Sequence, residues 1–358
     1  MLFSGVKMSI FKKEPFLIGE IGVNYYDIAK LKNISNMDAA KLMVKEAKEA
    51  GCDGVKFQTY KAETIASRNS PAYWDLNEEP TTSQFELFKK FDGFGYEEYR
   101  ELAEYCREIG VMFLSTPFDF DSVDYLDEFM DIYKISSSDL NNIPFIKKIL
   151  TKNKPIILST GASTMEEIKN TIDIIEDTNP NVDVGILHCV LSYPTDYSDA
   201  NLLMIKNLKD TFPDYEIGYS DHTKPDNQML TLITSYLYGA CIIEKHFTLD
   251  KSLKGNDHYH AMDPDDVRTF KENIKFVKTI NGQYNKEPLE CEKQSRIQAR
   301  RSIVAARDIL KGKSIVKDDL TFKRPGSGIS PDKIGSVLGK TAIMDIKADD
   351  ILDENMFK

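Results

Sequence analysis

Basic charge is in short supply in this sequence: 46 lysines and arginines stand against 57 acidic residues, a net charge of −11. Without a cationic excess there is nothing to neutralise a phosphate backbone, which argues against nucleic-acid binding; any basic residue that matters acts locally, on a small anion. Long apolar runs are missing too. None approaches the roughly 20 residues of a membrane span, and no signal-peptide core is present. The five cysteines, at 52, 106, 189, 241 and 291, are odd in number and include no C-x-x-C pair. That excludes a disulfide framework or zinc ribbon and suits buried thiols in a reducing cytosol. The glycine-rich fingerprint of a dinucleotide fold is absent. Histidine is scarce as well, and all five fall between His188 and His260.

What is present is a repeat. With 358 residues, 41% of them apolar, the chain has room for a large domain and an appendage. Between Phe16 and about Ile280 a short apolar run alternates with a longer amphipathic stretch. The eight runs are Phe16–Asn24, Gly54–Thr59, Val111–Thr116, Ile132–Ser137, Pro155–Thr160, Val184–Val190, Glu216–Asp221 and Ala240–Phe247. Helical patterns between them include Met37–Ala50, Tyr96–Ile109, Ile143–Thr151, Met165–Asp177, Leu203–Thr211 and Asn227–Tyr238. Eight strands alternating with helices predict an α/β fold, a TIM (β/α)8 barrel, over 16–284. Residues 1–15 read as a tail, with Met8 a possible second start. Residues 285–300 read as a partly helical linker, and 301–358, short β-prone runs punctuated by Gly and Pro, as a small, mostly β domain. The second βα connection, Tyr60 to about Gly95, is unusually long and carries the single Trp. It is a lid, an oligomer contact or a self-packed excursion.

In a barrel the C-terminal strand ends face the reaction site. Here they carry Glu20; Lys56 and Gln58; Ser115 and Thr116; Lys134, then Ser137 and Asp139; Ser159; His188, then Tyr193; Ser220 and His222; Glu244 and His246. Lysines inside apolar strands are costly unless matched, so Lys56 and Lys134 predict a phosphate-like anion, with hydroxyls from Thr116, Ser159 and Ser220 around it. A lysine paired with an internal carboxylate, or a Schiff-base lysine, is the competing reading. His222 and His246 close neighbouring strands with acidic company in Asp221 and Glu244, a ligand set for a divalent transition metal. Metal, anion and free carboxylates together describe an enzyme in which a metal polarises a carbonyl while Glu20 or Glu244 handles water or a proton.

Several motifs resemble the sialic acid synthase family: Ile18-Gly-Glu-Ile-Gly22, Val55-Lys-Phe-Gln-Thr59, Leu114-Ser-Thr-Pro-Phe118, Leu158-Ser-Thr-Gly161, Gly218-Tyr-Ser-Asp-His-Thr223, Ile243-Glu-Lys-His246 and Lys323-Arg-Pro-Gly-Ser-Gly328. The resemblance runs from about Ile18 to the C-terminus. It implies condensation of phosphoenolpyruvate with N-acetylmannosamine or a related N-acetylated sugar to a nine-carbon nonulosonic acid plus phosphate, catalysed by Glu20 and Glu244. It places phosphoenolpyruvate on Lys56, Thr116, Lys134, Ser137, Ser159 and Ser220, and the sugar on Gln58, Asp139, Tyr193, Asp257 and Arg324. The implied metal on His222 and His246 is Mn²⁺, with Mg²⁺ or Co²⁺ as alternatives. The C-terminal module resembles the antifreeze-like SAF domain, which implies a cytoplasmic, domain-swapped homodimer with Arg324 reaching into the partner's barrel. The sequence departs from the family at Tyr25, Asp139, Val190-Leu191, the Trp74 insertion and His260, which leaves a legionaminic- or pseudaminic-type product as an alternative. His258 and His260 face substrate or phosphate, or are solvated. Two further readings are another metal-dependent barrel enzyme, an aldolase or phosphatase, and a non-catalytic sugar-binding protein.

Overall fold

A computed structural model describes residues 15–255 and 257–358; the expected tail and Met8 lie outside them. The chain divides into two compact units, Met1–Ile280 and Asn281–Lys358.

The first unit is built on eight parallel strands: β1 (Phe16–Gly22), β2 (Gly54–Thr59), β3 (Met112–Pro117), β4 (Tyr133–Ile135), β5 (Ile156–Ser159), β6 (Val184–Cys189), β7 (Glu216–Asp221) and β8 (Ile242–His246). Their order is β3-β2-β1-β8-β7-β6-β5-β4. The strands at the two ends of that order, β3 and β4, lie side by side and close the ring. The predicted barrel is therefore what forms, because each strand is apolar on both faces and can be covered only by helices outside and by its fellow strands inside.

Strand periodicity sets what the inside contains. Successive residues point to opposite faces, so every second residue faces the barrel axis. One inward layer is an apolar plug of Ile18, Leu114, Ile132, Ile157, Leu187 and Ile242. Gly54 and Gly218 complete it for steric reasons: a Cβ at Gly218 would stand 2.3 Å from Leu187 Cδ2, and one at Gly54 2.9 Å from Leu114 Cδ1. Two residues further along each strand the same face turns polar, and that second layer is the floor of the site.

The helices outside start where local chemistry dictates. Ser35 caps Asn36–Ala50 by accepting from the Asp38 N–H, and Thr164 and Glu167 form a reciprocal capping box on Met165–Thr178. The long second connection contains helices Ala62–Ile65 and Gln84–Lys90. In the second unit β9 (Ser302–Ala305) pairs antiparallel with β10 (Leu320–Lys323). Isolated bridges and 3-10 turns complete it around a core that includes Ile303, Ile309, Ile315, Val337, Ile346 and Leu352. Helix Lys293–Gln298 precedes β9. No described helix is long and apolar enough to cross a membrane.

Candidate active site

The polar layer above the plug is Glu20, Lys56, Thr116, Lys134, Ser159, Cys189, Ser220 and Glu244, one residue from each strand, lining a cavity of about 310 Å³. Ladder register brings the charges together: Glu20 is opposite Lys56 on one side and His246 on the other, and Ser220 is opposite Glu244. Lys56 Nζ lies 2.6 Å from Glu20 Oε2 and 3.8 Å from Glu244 Oε1, and it donates to Thr116 Oγ1 at 3.1 Å. Lys134 Nζ donates to Ser159 Oγ at 2.7 Å, while Glu244 Oε1 is 3.9 Å away. Ser220 Oγ donates to Glu244 Oε1 at 3.1 Å, and Gln58 Nε2 to Glu20 Oε1 at 3.0 Å.

These contacts push the two carboxyls apart. Burial raises Glu20, and Glu244 adds to it, against the opposing pull of Lys56. Burial would raise Glu244 as well, but Lys134, Lys56 and the Ser220 hydrogen bond outweigh it and hold it low. Two neighbouring carboxyls with opposite shifts are a means of keeping one ionised while the other exchanges a proton. Burial lowers Lys134; for Lys56 the two glutamates overcome burial and raise it. The lysines are thus unequal: Lys56 is already matched at contact distance, whereas Lys134 retains much of its field for an incoming anion.

At the rim, His222 and His246 stand with ring centroids 5.5 Å apart. His222 Nδ1 is 2.8 Å from the Val190 carbonyl, so Nδ1 carries the proton and Nε2 keeps its lone pair for a metal. His246 Nδ1 is buried without a hydrogen bond, 3.3 Å from Asp257 Oδ2. Burial, together with the neighbouring His260 and His222 rings, holds His246 well below the usual imidazole range. One ligand atom each from His246, Asp257 and His260 lies within 4.8 Å of the others. Neutral imidazoles with unmet nitrogens beside a carboxylate fit a divalent cation.

A second, smaller cavity of about 120 Å³ adjoins the first and shares Gln58, Tyr73, Phe88, Tyr193 and His246 with it. Its further walls include Trp74, Phe91 and Tyr259. The long connection therefore roofs the site. Trp74 Nε1 donates to the Glu79 carbonyl, Gln84 Nε2 to the Pro71 carbonyl, and the Gly255 N–H to the Glu78 carbonyl.

Residues 43–286 match the model of the NeuB family. The chain belongs to that family. Residues 300–358 match the SAF domain, in agreement with the resemblance its motifs carry. The N,N'-diacetyllegionaminic acid synthase of Legionella pneumophila is 36% identical, over 96% of this chain and 95% of that protein. The N-acetylneuraminate-9-phosphate synthase of Mus musculus is 32% identical, over 96% and 92%. Among solved structures, the N-acetylneuraminic acid synthetase of Leptospira borgpetersenii serovar Hardjo-bovis, in complex with citrate, superposes with a TM-score of 0.68 at 29% identity, covering 79% of this chain and 90% of that one.

Of the residues expected at the site, this family member brings Glu20, Lys56, Gln58, Thr116, Lys134, Ser137, Ser159, Tyr193, Ser220, His222, Glu244 and His246 to the main cavity, and Asp257 to the smaller one. Asp139 does not line either cavity; its two oxygens accept from Ser136 Oγ and Asn142 Nδ2 in the turn after β4. Arg324 is exposed in the second unit. Asp221 is not the acidic company of His222, because it alternates onto the outer face, where Lys245 Nζ meets it at 2.6 Å. Ser115 points outward as well, to Thr59. His188 bonds the Ala200 carbonyl behind β6, and Cys189 takes its place in the cavity. A count of two from the apolar plug residue on each strand identifies Cys189 from the sequence. His258 and His260 are both fully buried rather than solvated, with His258 held between Thr248 Oγ1 and Asp27 Oδ2.

Proposed function

We propose that this protein is a nonulosonic acid synthase that condenses phosphoenolpyruvate with the open-chain form of an N-acetylated amino sugar, releasing phosphate. The observation that carries this reading is the pairing of an anion-binding floor, in which Lys134 is incompletely matched, with a histidine rim and an aromatic-walled second cavity. One substrate is a small anion, which suits the floor of the main cavity, and the other a bulkier, largely uncharged molecule, which suits its histidine rim together with the adjoining aromatic-walled cavity.

In this reading Lys56, Lys134, Thr116, Ser137, Ser159 and Ser220 hold the phosphate and carboxylate of phosphoenolpyruvate. Gln58, Tyr193 and Asp257 orient the sugar. A divalent cation on His222 and His246, manganese by resemblance, supplies Lewis-acid polarisation of the sugar carbonyl oxygen. The enol carbon C3 attacks the aldehyde carbon, the new C–C bond forms as the carbonyl π pair moves onto oxygen and takes a proton from water, and positive charge develops at C2, opposite the ionised Glu244. Water adds to C2 as Glu20, whose raised pKa makes it the stronger base, takes the proton. The C2–O bond to phosphate then breaks as the new hydroxyl gives up its proton, leaving a 2-keto acid. Arg324 and a domain-swapped homodimer belong to the same proposal and rest on the resemblance alone; the cytoplasmic setting rests on the five free cysteines.

The walls of the smaller cavity favour one branch. Leu87, Phe88, Phe91 and Trp74 offer apolar faces beside the polar groups of Gln58, Tyr193, Asp257 and Tyr259, which suits the methyl groups of a 6-deoxy-diacetamido sugar, and so a legionaminic-type product. The test is phosphate release from phosphoenolpyruvate with Mn²⁺, comparing N-acetylmannosamine with the 6-deoxy-2,4-diacetamido sugar. Release that depends on either sugar is expected, and faster with the second. No release with either, from folded and metal-loaded protein, sinks the proposal.

A further inference from the structure

His260 is left without a task by the reaction just described. Its ring is 0% exposed, and neither nitrogen has a hydrogen-bond partner within the protein. Asp257 Oδ1, at 3.7 Å from Nε2, is beyond hydrogen-bonding distance. A buried polar group left unmet costs about 1–3 kcal/mol, so a ring needed only for packing would be better replaced by an apolar one.

The surroundings indicate what these nitrogens serve. The His260 centroid is 4.9 Å from that of His246 and 6.1 Å from that of His222, and those two are 5.5 Å apart. Imidazoles bound to one ion at about 2.1 Å have centroids roughly 4.6 Å apart at right angles and about 5.6 Å apart at 120°. Two sides of the observed triangle fall in that range and the third is slightly longer. Among the described residues, His246, Asp257 and His260 each offer an atom within 4.8 Å of the others, and His222 stands just outside that group. A substrate atom is a poorer partner for His260, because the ring lines neither cavity.

We infer that His260 is a further ligand of the divalent cation, joining His246 and His222 in a site of three imidazoles beside the Asp257 carboxylate. The inference rests on the reading that this rim binds a metal at all. Such a donor set prefers Mn²⁺, Co²⁺ or Zn²⁺ to Mg²⁺, which favours oxygen and water.

The experiment is a Mn²⁺ titration of metal-stripped full-length protein, followed by loss of the free-ion EPR signal, with a parallel Co²⁺ titration read by visible absorption. Wild type, His260→Ala and His260→Gln are compared after thermal melts establish that each is folded. The expected result is tight binding by wild type, affinity weaker by about tenfold or more in the folded variants, and a changed Co²⁺ spectrum on loss of a nitrogen donor. The glutamine variant retains bulk and polarity, so weakened binding there supports ligation even if the alanine variant fails to fold. Equal affinity and an unchanged Co²⁺ spectrum in a folded variant overturn the role of His260 while leaving a His222–His246 site standing. A wild type that binds neither ion overturns both.

Discussion

Replacing Lys134 with methionine isolates the charge that recognises the anion. Lys56 is a poorer target, since its removal strips Glu20 of a contact at 2.6 Å and leaves a buried carboxylate unpaired, a change that costs stability in its own right. With Lys134 gone, Glu244 keeps Lys56 at 3.8 Å and Ser220 at 3.1 Å, and methionine fills a similar volume, so the barrel is expected to survive. Two unit charges about 4 Å apart at an effective dielectric of about 20 interact by about 4 kcal/mol. Glu244, 3.9 Å from Lys134, already offsets part of that field, which leaves roughly 2–3 kcal/mol for the ligand, or about 30- to 150-fold in affinity. The measurement is phosphate release at saturating sugar with phosphoenolpyruvate varied. Lys134→Met should raise KM for phosphoenolpyruvate, lower kcat/KM by about two orders of magnitude, and leave KM for the sugar within a few-fold. A change under about fivefold in a folded variant would refute the assignment of Lys134 as the anion's main cationic partner, because no other buried ammonium in this layer is as weakly matched.

Three further outcomes are expected. Burial and Glu244 raise the Glu20 carboxyl above the usual glutamate range, so its base form is lost as pH falls through that raised value; the acid limb of kcat/KM should lie above that of an ordinary glutamate. Glu20→Gln should lower kcat by about 10²–10⁴-fold and remove that limb, and persistence of the limb would reassign the base. Trp74→Ala opens the aromatic wall and should raise KM for the sugar by about tenfold or more with KM for phosphoenolpyruvate unchanged; a reversed pattern would place the sugar elsewhere. Arg324→Ala should weaken sugar binding without changing the mass seen by sedimentation, and full activity would remove Arg324 from the site.

The barrel was legible because eight apolar runs of strand length alternate with amphipathic stretches, and the strand limits agree to within two residues, with no difference at Gly54–Thr59 and Glu216–Asp221. Helix Tyr25–Lys32 was not read, since it begins with two tyrosines directly behind a strand and runs for only 8 residues. Phe120–Leu126 was hidden likewise by its shortness; its start is set by the Asp119 cap. The polar floor followed from strand ends, but which of two adjacent polar residues faces inward did not follow without an anchor for the alternation. That is why Asp221 and His188 were expected inside and face outward. The burial of His260 depends on a loop folding back over β8, where the Met262 N–H donates to the His246 carbonyl, and no periodic pattern reveals such a contact.

The site draws its parts from two sources. Every floor residue is fixed by the strand ladders, whereas much of the second cavity comes from one connection between β2 and Gly95. In the proposed reaction, chemistry and selectivity are thus encoded in separable stretches of chain. A lid exchanged between relatives with different sugars can retune which aldehyde is accepted while Glu20, Lys134 and Glu244 keep their places, so this loop is where diversification costs the reaction least.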